Sequence, residues 1–525
     1  MADISIAQHY HQRTKYDPET IGQKSGGLNW SAQPRPYKDY KIGHEIDLKP
    51  YLEKEVLDAD DDWCWWRRLS RLLIDSYGLT AKVMTQSGEP MYLRSAPSAG
   101  GLYPAEIYMV SRGTSRLAAG LYNYQVRTHS LLRYWNTHPW QDLQAACFWH
   151  PALETTELAL VVSAIFQRSA WRYQDRAYRR VFLDSGHLLG NLEVAGTLCD
   201  YRPHLIGGFA DEAANRLLYL DGTEESAIAI LALADLFEVN QNLPPARSAL
   251  PSPAHTDIDK IADGELLTYL HQNSLIPSDA GFGQREQKAV ESEPVADPSS
   301  GDAEVPDEKT AADKYNFPFG ITVSTKTQPM SWGNNLSKLE DTLLKRRSTR
   351  RYAGAALSQA DLFSLLDFTY HPEHYRLQDF DEQPDYFDLS LIETFVAVSK
   401  VETMEEGCYY YAPHAEELRQ IRFNQFQEEL HYLCLGQNLG RDAGIVLFHT
   451  ANLAAAVAKY GDRAYRYLHM DAGHLGQRLN LAAVRRGLGV SGIAGFFDDQ
   501  VNELLSIPAE EAVLYITTVG QKARR

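Results

Sequence analysis

Two stretches of this sequence carry residue types suited to a flat, phosphate-bearing ligand. Pro97-Ser98-Ala99-Gly100-Gly101 is a turn of small residues, where backbone can approach a planar group with no Cβ in the way. Taken alone, it establishes only a turn. Leu344-Lys-Arg-Arg-Ser-Thr-Arg-Arg-Tyr352 gathers Arg346, Arg347 and Arg350 around Ser348. Guanidinium forks match a phosphate dianion, and charge-assisted bonds to it are the strong ones. A solvated basic helix end is the plain alternative. Lys459-Tyr460 offers a lysine that partial desolvation would turn into a base. A similar pair, Arg172-Tyr173, carries an arginine, which cannot be one. His187 and His474 each follow an aspartate by one helical turn, Asp184 and Asp471. With no further ligand cluster near them, they read as buried structural histidines, not metal ligands.

The elements that must position these residues follow from apolar spacing. Trp65 to Tyr77 and Arg176 to Gly196 read as helices, the second long and buried; Glu106 to Val110, Gly120 to Tyr124 and Leu158 to Ile165 read as strands. Residues 1–60 are polar and broken by Pro and Gly, and read as an arm lying over the first domain. Residues 241–320 are rich in Pro, Ser and acids and poor in large apolar side chains, which predicts a flexible linker. It separates a first domain, 61–240, from a second, 321–525. A chain of 525 residues is too long for one core, and 44% hydrophobic residues suffice for packed domains. The formal charge of −18 argues against nucleic acid or an anionic membrane as the main partner. There is no apolar run long enough to span a membrane and no signal-peptide core at the N-terminus. Five scattered cysteines without metal spacing fit reduced thiols, so the expected location is cytoplasmic.

The two domains repeat one another in a single register. Arg463-Ala-Tyr-Arg-Tyr-Leu-His-Met-Asp-Ala-Gly-His474 answers Arg176-Ala-Tyr-Arg-Arg-Val-Phe-Leu-Asp-Ser-Gly-His187. At the same offset Gly407-Cys-Tyr-Tyr-Tyr411 answers Gly120-Leu-Tyr-Asn-Tyr124, and Ile493-Ala-Gly-Phe496 answers Ile206-Gly-Gly-Phe209. The chain is a fused tandem in which each half needs the other's face to complete a core.

Arg94-x-x-Pro-Ser-Ala-Gly-Gly-Leu-Tyr-Pro-x-Glu-x-Tyr108 resembles the signature of the SagB-type dehydrogenases. These are FMN enzymes of the nitroreductase superfamily, some of which oxidise azolines in ribosomal peptides. His11 to Tyr16 and Gln33 to Tyr40 resemble the segment that precedes the domain in those proteins. The resemblance implies an α+β fold: two fused nitroreductase-like domains, antiparallel-rich sheets wrapped by helices, forming an intramolecular pseudo-dimer around FMN. In that superfamily the small turn is lent by one subunit to the flavin held by the other. Lys345 to Tyr352 resembles the nitroreductase opening R-R-S-x-R-x-[FY], whose arginines and serine hold the FMN phosphate and ribityl chain. Val519-Gly-Gln-Lys-Ala-Arg-Arg525 resembles the family's basic close, which makes Lys522 and Arg524 phosphate candidates. Gly492-Ile493-Ala494-Gly495-Phe496 resembles the P-I-E-G-F turn, whose backbone N–H faces flavin N5. Lys459-Tyr460 resembles the proton-handling pair of the azoline-oxidising members; Tyr173 is the equivalent tyrosine of the first half.

Each half has lost what the other kept. Opposite the small turn, the second half has Pro384-Asp385-Tyr386-Phe387-Asp388, too bulky and acidic for a flavin edge. Opposite the basic opening, the first half has no arginine between Lys41 and Trp66 and offers Asp58, Asp60, Asp61 and Asp62. Complementary loss predicts one hybrid site and one FMN per chain. The expected activity is dehydrogenation of a small organic or modified-peptide substrate by hydride transfer to flavin. The alternatives are an NAD(P)H-dependent reductase and a flavin-free peptide-binding module. Further pairing of chains stays open.

Overall fold

The computed structural model describes residues 4–523 apart from 25–26, 54–59, 86–87, 89, 242, 259, 281–312 and 316–319. Each half contains a seven-stranded sheet, antiparallel throughout. In the first the spatial order is His44–Asp47, Ser130–Trp135, Gly120–Gln125, Ala105–Ser111, Leu158–Ile165, Glu225–Asp235, Tyr201–Ile206. In the second it is Thr322–Ser324, Glu417–Phe423, Gly407–Ala412, Glu393–Val398, Ile445–Asn452, Glu511–Gly520, Gly489–Ile493. The orders match strand for strand, so the repeat seen in sequence is a repeat of topology. The central strands are buried along almost their whole length, which explains unbroken apolar runs such as Leu158–Ile165.

The halves meet along two long helices, Ala177–Leu198 and Ala464–Arg485. They cross at the glycines of the repeated D-x-G-H. A Cβ on Gly186 would lie 2.1 Å from the carbonyl oxygen of Met470, and one on Gly473 2.3 Å from that of Leu183. Only glycine lets the backbones come this close. The histidine of the motif then bridges the halves: His187 Nδ1 meets Gln477 Oε1 at 2.9 Å and Nε2 meets Tyr515 OH at 2.8 Å. Both ring nitrogens are thereby satisfied, in keeping with a structural histidine. Arg478 and Glu193, both buried, add a 2.9 Å ion pair between the two helices.

Two segments are more ordered than composition predicts. Residues 243–258 and 260–280, expected to belong to the flexible linker, form a packed strap: Ala249, Leu250, Ile261 and Ile276 are buried, and Leu266–Asn273 is a helix. The rest of the expected linker up to 312 lies outside the described residues. The arm opens with the helix Ile6–Thr14, whose N-terminus is closed by a reciprocal Ser5–Gln8 capping box. It docks on both halves, with Tyr10 buried, Ala7 N–H donating to Asp462 at 3.0 Å and Arg179 donating to the His11 carbonyl at 2.8 Å. The aspartates expected to repel a phosphate serve the helix Asp61–Tyr77: Asp60 caps it and Asp62 pairs with Arg116 at 2.8 Å. Asp58 lies outside the described residues.

Candidate active site

A cavity of about 1040 Å³ opens at the seam between the halves. From the first half it is lined by Pro97, Ser98, Ala99 and Gly100, and from the second by Ser348, Arg350, Ile493, Ala494 and Gly495. The two sequence motifs that were complementary in the repeat therefore face one space.

The small turn is held from behind. Arg94, fully buried, lies between the rings of Tyr77 and Tyr103, 4.3 and 4.7 Å from their centroids. The Asp184 carboxylate accepts from Ser98 Oγ and, at 3.1 Å, from Ala99 N–H. Burial pushes the Asp184 carboxyl up to about 7, although these bonds favour its charged form. Gly100 is left-handed (φ +68°), and a Cβ there would meet the Tyr173 hydroxyl at 2.9 Å. Gly101 is left-handed too but does not line the cavity.

Of the basic opening, Ser348 and Arg350 line the cavity and Arg346 and Arg347 do not. The expectation that all four grip one ligand needs correction. Arg346 donates to the backbone carbonyls of Ser95 (2.6 Å) and Arg94 (3.2 Å), and Arg347 to that of Thr80 (2.8 Å), so both tie the second half to the first. Burial lowers the Arg346 guanidinium to about 10, and its Nη1 is a buried donor without a partner. Arg350 and Lys522 have no carboxylate partner among the described residues. The final strand runs back past the opening, with Lys522 bridged to Tyr352 and Ala353 N–H donating to Gln521 at 2.8 Å. Arg524 lies outside the described residues. Gly492 is pinned by packing, since a Cβ there would fall 1.7 Å from the Tyr515 hydroxyl. The N–H groups of Ala494 and Gly495 find no acceptor among the described residues.

The Lys459-Tyr460 pair lies elsewhere. Lys459 Nζ is paired with the Asp388 carboxylate and Tyr460 OH donates to it at 3.0 Å, on the repeat-related side of the molecule. The pair that lines the cavity is Arg172-Tyr173. The sequence left open which of the two pairs overhangs the site, and at this cavity it is the pair without a lysine. Burial raises the Tyr173 hydroxyl above its ordinary range. Several lining residues had no functional reading in sequence, among them Arg13, Tyr16, Asn29, Arg180 and Tyr515. Arg180 did leave a signal: it is an arginine where the repeat has Tyr467.

The repeat-related site is plugged. Phe387 is buried and stacked on Tyr467 at 4.6 Å between centroids, so close to Gly207 that a Cβ there would meet its ring at 2.2 Å. The Ser248 carbonyl of the strap accepts from the N–H groups of Gly207 (2.6 Å) and Gly208 (3.0 Å), the counterparts of Ala494 and Gly495.

The residues around the cavity fit a flavin mononucleotide. Ser348, Arg350 and a turn with unanswered backbone donors line it from one half and a small-residue turn from the other, while Lys522 is not among the lining residues.

Comparison with known proteins agrees with this architecture. A crystal structure from Anabaena variabilis, described as a nitroreductase, matches 99% of this chain and 100% of its own, with 59% identity and a TM-score of 0.91. MJ1384 of Methanocaldococcus jannaschii, also described as a nitroreductase, is 35% identical over 185 residues, 35% of this chain and 91% of its own. No helix among the described residues is long and apolar enough to cross a membrane. The profile of the Nitroreductase family matches residues 71–234 and 343–521, one span in each half and more than half of the chain together, and the chain belongs to that family.

Proposed function

We propose that this protein is an FMN-dependent oxidoreductase of the SagB-type group that dehydrogenates a small organic or peptide-derived substrate. The observation that carries this reading is a cavity lined both by Ser348, Arg350 and the Ile493–Gly495 turn of one half and by the small turn of the other. Bound there, FMN would supply a two-electron acceptor that takes hydride from a substrate carbon. Ser348 and Arg350 would hold the phosphate and ribityl chain, with Lys522, bridged to Tyr352, as a further candidate. The N–H groups of Ala494 and Gly495 would donate to the ring and stabilise the negative charge that grows on reduction. Pro97 to Gly100 would cover the ring and exclude water.

The proton that leaves with the hydride needs an acceptor among the lining residues. Tyr16 fits: burial raises its hydroxyl, but the Arg180 and Arg176 guanidiniums outweigh that and hold it below its ordinary range. Tyr173, raised by burial, stays protonated and orients the substrate. The test is anaerobic. Protein loaded with FMN should keep its yellow colour on addition of NADPH, bleach with its substrate and regain colour in air. Bleaching by NADPH alone would reverse the proposed electron flow, and a chain that retains no FMN would overturn the reading.

A further inference from the structure

The cavity also holds an arginine whose only part in the reading above is its effect on Tyr16. Arg180 lies on the first long helix, is only 5% exposed and lines the cavity. Its Nη1 has no hydrogen-bond partner, its Nη2 reaches only the Tyr16 hydroxyl at 3.5 Å, and it forms no ion pair among the described residues. Three of its cationic neighbours have a carboxylate. Arg176 and Arg179 share the Asp498 carboxylate at 2.8 and 2.6 Å, and Arg13 pairs with Asp263 at 2.6 Å. Asp184, one turn along the helix, is taken up by Ser98 and Ala99. A buried cation without a counter-charge is costly, and it is retained where a ligand supplies the charge.

Its position suits a substrate. The guanidinium lies 3.9 Å from the centre of the Tyr173 ring, and a Cβ on Gly495 would be 3.3 Å from Nη2, so it flanks the turn with the unanswered N–H groups. Tyr16 and Trp171 extend the aromatic wall, and exposed Arg172 at the rim adds positive potential that draws anions in. At the plugged site the same helix position is the neutral Tyr467.

We propose that Arg180 is the anchor for a substrate carboxylate, so that the site takes a flat organic monoanion with its charge on Arg180 and its body against Tyr173, Tyr16 and Trp171. With Arg350 assigned to the flavin phosphate and Arg172 exposed to solvent, Arg180 is the buried guanidinium left for one negative charge, and its fork suits the two oxygens of a carboxylate. The inference rests on the flavin reading above.

The FMN-loaded protein is titrated with benzoate and with benzamide, its neutral near-isostere, following the flavin absorbance. Benzoate should bind about ten- to a hundredfold more tightly, the range of a charge-assisted pair. Arg180→Leu should abolish that preference yet keep FMN, and Arg180→Lys should keep part of it. Equal binding of the two probes, or binding of neither, would overturn the proposal while leaving the flavin reading intact. Loss of FMN from Arg180→Leu with retention in Arg180→Lys would assign the guanidinium to the flavin and overturn it too. A wild-type chain that holds no FMN would overturn both readings.

Discussion

The two ends of the helix pair began as copies, and one is open where the other is packed shut. At the open end Gly100 leaves room beside Tyr173, and Ala494 and Gly495 present N–H groups with no acceptor among the described residues. At the closed end Phe387 occupies the place of Gly100, Tyr467 that of Arg180, and the Ser248 carbonyl takes both turn N–H groups. The closed site has thus become core, with both turn N–H groups bonded and an aromatic stack filling the space. The open site keeps the features that cost stability in an empty protein: unanswered donors and an unpaired buried arginine. Binding sites are recognisable by such unmet needs, and here the molecule contains its own control.

Filling the open end should have the largest effect. Gly100→Phe puts at the open turn the residue that closes the other end, and a side chain there meets Tyr173 at a φ that side chains rarely adopt. FMN binding should be lost, as read by flavin retained after gel filtration, while the fold survives.

The basic opening separates next. Arg350→Ala removes a cavity-lining guanidinium and should weaken FMN by about ten- to a hundredfold, the worth of one or two charge-assisted bonds. Arg346→Ala should act on stability instead, lowering the melting temperature of the apo-protein through the lost bonds to Arg94 and Ser95. Equal loss of FMN in both variants, with apo stability untouched, would erase this distinction.

The smallest effect is one of pH, and it should be the same at both ends. The Asp184 and Asp471 carboxyls are both pushed up to about 7 by burial. Between about pH 4 and pH 7 the folded chain holds protons that the unfolded chain has released, so this contribution is fully present below about pH 4 and fades as pH rises through 7. Asp184→Asn and Asp471→Asn should each flatten the fall in thermal stability across that window. A slope unchanged by either would show that these carboxyls titrate normally.

Much of this was legible in the residues themselves. The repeat register and the strand Leu158–Ile165 follow from apolar and repeat patterns, whereas the pairing of Pro97–Gly100 with Ser348 and Arg350 was implied by the family resemblance together with the complementary loss in the two halves. The roles of Arg346 and Arg347 were not, because a guanidinium bonds a backbone carbonyl as readily as a phosphate, and only the fold brings Ser95 and Thr80 within reach. The strap was hidden by its composition: Pro and Ser mark linkers, yet Ser248 acts through its carbonyl, which every residue has. Which of Lys459-Tyr460 and Arg172-Tyr173 overhangs the cavity stayed open in sequence, because a side of the molecule, not a motif, decides it. Two signals stood in plain view: Ser5-x-x-Gln8, a capping box in a segment read as a loose arm, and Arg180 opposite Tyr467 inside the best-matched stretch of the repeat.

The central claim is one working site per chain, and flavin stoichiometry tests it most directly. Apo-protein titrated with FMN under tight-binding conditions should saturate at one equivalent per 525-residue chain. Phe387→Gly should saturate there too, because Ser248 still holds the N–H groups of Gly207 and Gly208. Saturation of the wild-type chain at two equivalents would contradict the account.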